Sequence, residues 1–167
     1  LGDAAPVLMV RDPSAHQDMN ARAKKFGVSH VLTLDSDGQG SLTQGARSRN
    51  AAAPSAPGSA PRSQDDLAAI LYSSGTTGRP KGAMLSHGAL AANALALHKV
   101  WKFGSGDVLL HALPIFHTHG LFVATNTVLM NGTSMIFHNR FDEAAVISDL
   151  SRATVFMGVP TYYTRLL

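Results

Sequence analysis

The chain has 167 residues, 45% hydrophobic and 15% charged, with a net charge of +3 and no cysteine. That composition suits one soluble domain able to bury roughly 70% of its unfolded surface. Lack of cysteine excludes disulfides, zinc–thiolate centres and cysteine nucleophiles. Basic residues are scattered, with small clusters only at Lys24-Lys25 and Arg47/Arg49, which argues against a nucleic-acid partner. The first residue is Leu1, and no basic-then-apolar leader follows it. Leu1 is therefore expected to lie inside a longer parent chain in a reducing, cytoplasmic setting.

Taken in order, Val7 to Val10 and Val31 to Leu34 are apolar runs without in–out alternation, as buried parallel strands are. Between them, Ser14 to Phe26 places Ala15, Met19, Ala23 and Phe26 on one helical face. Residues 35–64 are rich in Gly, Ser, Ala, Pro and Arg, and Leu42 is their only large apolar side chain. This stretch is expected to be a surface excursion with a short helix near Leu42 to Arg49, or else a linker. Ala68 to Tyr72 is a further buried parallel strand by the same pattern. Gly88 to Trp101 is a helix carrying Leu90, Ala94, Leu97 and Trp101 on one face, with Ser86 as its N-cap. Val108 to Asn139 has no Asp, Glu, Lys or Arg. Pro114, Gly132 and several polar residues interrupt it, so it reads as strand, buried helix and strand, not as a membrane span. Asp142 to Arg152 is helical, and Thr154 to Val159 is the last strand. Strands alternating with helices predict an α/β fold with a largely parallel sheet flanked by helices.

The run Tyr72-Ser73-Ser74-Gly75-Thr76-Thr77-Gly78-Arg79-Pro80-Lys81-Gly82 is the most informative. It leaves a strand and is read as leading into a helix. Glycines let backbone N–H groups approach an anion, four hydroxyls add donors, and Lys81 adds a mobile charge. It is not the Gly-Lys-Ser/Thr loop of kinases and GTPases, because Lys81 lies between Pro80 and Gly82. The string resembles the phosphate-binding motif of adenylate-forming enzymes: acyl-CoA synthetases, peptide-synthetase adenylation domains and luciferases. Pro114-Ile115-Phe116-His117 resembles their Pro-x-x-His element. Ala83 to His87, His111 to Val123 and Met157 to Leu167 are similar to the malonyl-CoA synthetase branch. The likeness is strong from Asp65 onward, weaker over Leu1 to Leu34, and slight over 35–64.

The resemblance implies part of the large N-terminal domain of an ATP-dependent acid–CoA ligase. A carboxylate, malonate or a similar acid, would attack the α-phosphate of ATP, and CoA would then displace AMP. It assigns Ser73, Ser74, Gly75, Thr76, Thr77, Gly78 and Lys81 to the ATP phosphates, His117 to a catalytic gating role, and His117, Thr118 and His119 to the acyl pocket. The family's Mg2+ carboxylate, ribose aspartate, C-terminal domain and adenylate lysine are not in this sequence. The resemblance therefore leaves this stretch inactive by itself, and places the missing remainder of its own chain among its partners. Alternatives are another acyl-CoA ligase, a peptide-synthetase adenylation domain, or a non-catalytic nucleotide-binding module. His117 and His119 could also be core histidines. A metal pair is disfavoured, since the nearest carboxylates in sequence are Asp107 and Asp142. Arg165 reads first as a helix-surface residue and second as a cation for malonate's distal carboxylate.

Overall fold

The computed structural model describes residues 1–14, 18–50, 60–73 and 80–167, with the backbone alone at 46–50. Two compact units, Leu1–Ala60 and Pro61–Leu167, are taken in turn.

In the first unit β1 (Leu8–Arg11) and β2 (His30–Thr33) pair in parallel, Leu8 opposite His30 and Arg11 opposite Thr33. Helix α1 (Met19–Lys25) makes the crossover and buries Ala23 completely. Gly27, at φ 74°, ends it in the left-handed turn that glycine adopts without strain. Val7, Leu8 and Val10 remain exposed, contrary to the expectation of a fully buried strand. Helix α2 (Ser41–Asn50) supplies the short helix expected near Leu42.

The second unit opens on β3 (Leu67–Ser73) and β4 (Lys81–Ser86). They form an antiparallel pair running from Leu67 opposite Ser86 to Ser73 opposite Lys81. Two expectations are corrected here. The Ala68 to Tyr72 run belongs to an antiparallel, half-exposed strand, and the Ser/Thr/Gly loop leads into a strand, with the helix starting only at His87. The reason lies in β4 itself. Gly82 sits under Ile70 and Tyr72, where a Cβ would come within 2.8 Å of Ile70 Cγ2. Packing between strands thus selects the residue that removes the strand signal from the sequence.

Helix α3 (His87–Trp101) starts at the predicted cap, where Ser86 Oγ accepts from Ala89 N at 3.2 Å. Beyond it come β5 (Val108–His111), a π-helical segment (His119–Thr125) running into α4 (Asn126–Asn131), β6 (Ser134–Phe137), α5 (Glu143–Leu150), β7 (Val155–Met157) and α6 (Pro160–Leu166). The three strands are parallel in the order β6-β5-β7, so β5 lies in the middle. Leu109 packs on one face with Phe103, Leu113, Ala124, Val128 and Met157. Leu110 packs on the other with Ala112 and Val146. Alternation along β5 feeds two cores, which is why Val108, Leu109 and Leu110 run apolar without alternation. This is an α/β architecture with a parallel sheet flanked by helices. Among the described residues no helix is long and apolar enough to cross a membrane.

Candidate functional site

Two groups of predicted residues fall on separate sheets. Ser73 and Lys81 are the last cross-strand pair of the β3–β4 hairpin, both exposed, and Lys81 makes no ion pair with a described residue. The hairpin therefore holds a hydroxyl and an ammonium-bearing residue at the two ends of the Gly/Ser/Thr loop. Ser74, Gly75, Thr76, Thr77 and Gly78 lie outside the described residues.

The second group stands at the C-terminal edge of the parallel sheet, where α/β folds bind ligands beside a change in strand order. After β5 the chain turns at Pro114, whose carbonyl accepts from His117 N at 3.2 Å. His117 is exposed, with its ring 4.6 Å from that of Phe116. Thr118 is exposed and leads into the π-helical segment with no capping bond from its hydroxyl. His119 is different. It is half-buried and lines a cavity of about 390 Å3 together with Trp101, Phe103, Met157, Gly158 and Tyr163. Burial, then repulsion from His111, hold its imidazole below the usual histidine range, so it is mainly neutral at pH 7. The contiguous triplet thus divides between two exposed residues and one that faces a cavity lined mostly by apolar side chains but also by Asp107.

The π-helical winding has a local cause. A Cβ on Gly120 would collide with the Pro114 carbonyl oxygen and approach Pro114 C to 2.8 Å, so the glycine lets the segment lie directly on the turn. Its carbonyl accepts from His111 Nε2 at 2.9 Å and from Thr125 Oγ1 at 3.0 Å. Such windings recur at functional sites.

Arg165 is engaged on the helix surface. It pairs with Glu143 and lies 5.0 Å from the centre of the Phe141 ring. Among the described residues no group of three His, Cys, Asp or Glu could hold a metal. Sequence reasoning missed His111 as a contact of the site, and Gly158 and Tyr163 as cavity residues. The position of Gly158 just after β7, at the same sheet edge, was the available signal.

MatB from Rhodopseudomonas palustris, in an ATP-bound crystal structure, is 55% identical with a TM-score of 0.90, over 98% of this chain and 32% of that one. A feruloyl-CoA synthase from an Amycolatopsis species is 40% identical over 114 residues, 67% of this chain and 23% of its own. The mitochondrial malonate–CoA ligase of Mus musculus is 40% identical over 109 residues, 62% of this chain and 19% of its own. The chain thus spans about a third or less of the length of these relatives. The AMP-binding enzyme model matches residues 1–167, the full extent of a chain that carries the hydroxyl-rich loop in a hairpin and Pro-x-x-His at the sheet edge, and the chain belongs to that family.

Proposed function

We propose that the full-length protein is an adenylate-forming acid–CoA ligase acting on malonate or a similar small carboxylic acid, with ATP and CoA as co-substrates. On this reading residues 1–167 are part of one adenylate-forming domain, with 35–64 as a surface excursion. The observation that carries it is the pairing of Ser73 with Lys81 at the mouth of the Gly/Ser/Thr loop, in a chain matched throughout by the AMP-binding family. The attacking carboxylate is already ionised, so the first half-reaction needs no general base. It needs the triphosphate held in line and charge on departing pyrophosphate stabilised. Ser73 to Gly78 would supply donors and Lys81 the charge. His117, Thr118 and His119 would border the acid, His119 from the cavity side. Among the described residues no three His, Cys, Asp or Glu side chains come together to hold a metal, and none is assigned to Mg2+.

A second reading, a ligase for a larger apolar or aromatic acid, is favoured by Trp101, Phe103 and Tyr163 around the cavity. Pyrophosphate exchange into ATP by the full-length enzyme tests both. Exchange that requires malonate supports the first reading. Exchange only with larger acids supports the second, and none with any acid overturns the assignment.

A further inference from the structure

His111 has no part in the reading above, yet its placement is hard to explain as packing alone. It is 1% exposed at the C-terminal end of the central strand, on the same face as Leu109. Its Nε2 is 2.9 Å from the carbonyl oxygen of Gly120. A carbonyl can only accept, so Nε2 carries the proton in that bond. Its Nδ1 is buried without a hydrogen-bond partner among the described residues. An orphaned polar atom in the interior destabilises a fold, and Phe or Leu would fill this space without one. What histidine offers and they lack is the Nε2 donor.

The acceptor of that donor is the carbonyl of Gly120, the residue after His119. Gly120 is pressed against the Pro114 carbonyl on one side and receives the bonds of His111 and Thr125 on its own carbonyl. The strand carrying His111 is paired on both edges, with Phe137 and with Met157. We infer that His111 is a positioning residue for the acid-binding segment: its bond to Gly120 ties the first turn of the π-helix to the rigid sheet and so sets where His119 and the Pro114–His117 turn stand. This rests on the proposed acyl site, and the test separates the two.

Three variants of the full-length enzyme decide it. In His111→Gln the side-chain amide reaches the place of Nε2 and can still donate to Gly120. In His111→Asn it falls short, and in His111→Phe the donor is gone. KM for the acid is expected to rise about tenfold to a hundredfold in the Asn and Phe variants, the scale of a small misplacement. KM for ATP stays unchanged in all three, and the Gln variant stays near wild type. The signals of isotope-labelled histidines should shift for His119 in the Asn and Phe variants and remain in place in the Gln variant. Equal behaviour of Gln and Asn, or a parallel rise of both KM values, overturns the inference. So does failure of both amide variants to fold, since Gln retains the donor. If His119→Leu leaves use of the acid unaltered, the acyl-site reading is wrong. The His119 signals then decide the positioning role independently.

Discussion

His119→Leu removes the one polar side chain of the predicted acyl triplet that faces the cavity. Malonate carries a second carboxylate that must be paired, because an unpaired buried charge is costly. A hydrogen bond to a charged group contributes roughly 1.5–3 kcal/mol, and 1.36 kcal/mol is tenfold in rate. His119 is only half-buried, and burial and His111 favour its neutral form. Both facts put the loss at the lower end, about tenfold in the ratio of kcat/KM for malonate to that for butyrate. The sign of the pH dependence follows from the lowered pKa. As pH falls toward that pKa, more of the imidazole is protonated and able to pair an anion. The wild-type preference for malonate should therefore grow from about pH 8 to about pH 6, and that of the Leu variant, which keeps His117, should grow by less. The assay is kcat/KM for both acids, with both proteins, across that range. A fall by the same factor for both acids, with parallel pH profiles, would refute the reasoning and make His119 a structural residue.

Lys81→Ala in the full-length enzyme should slow adenylation by roughly tenfold to a thousandfold, the effect of losing one charge-stabilising donor. Thioester formation from pre-made acyl-adenylate should change much less, and equal slowing of both steps would mean that the loop acts through folding. Leu110, fully buried beneath α5, should cost about 2–5 kcal/mol when cut to Ala. That appears as a lower urea midpoint at unchanged slope, and an unmoved midpoint would contradict the assigned core.

β5 was legible because both its faces are buried, which leaves a nearly continuous apolar run from Val108 to Leu113. Ser86 was legible as a cap because the preference is local. β4 was not, since its Gly82 answers to Ile70 and Tyr72 across the hairpin, a contact no window of sequence contains. The triplet His117-Thr118-His119 could be singled out by resemblance, but not the division of its side chains between solvent and cavity. That depends on the π-helical winding, and the winding depends on Gly120 meeting Pro114 and on a bond from His111 nine residues earlier. The orphaned Nδ1 of His111 is equally invisible without coordinates.

A π-helical turn is an α-helical turn carrying one residue too many. Deleting a single residue between His119 and Thr125 would return the segment to ordinary winding, and what precedes it would keep nearly its orientation relative to α4, because the wide turn takes up the extra residue. The buried Ala124, Thr127 and Val128 and the cavity-lining His119 could then all keep their places. In a plain α-helix the same deletion would turn one end by about 100° against the other, so this stretch tolerates a one-residue change of length that its neighbour α4 would not.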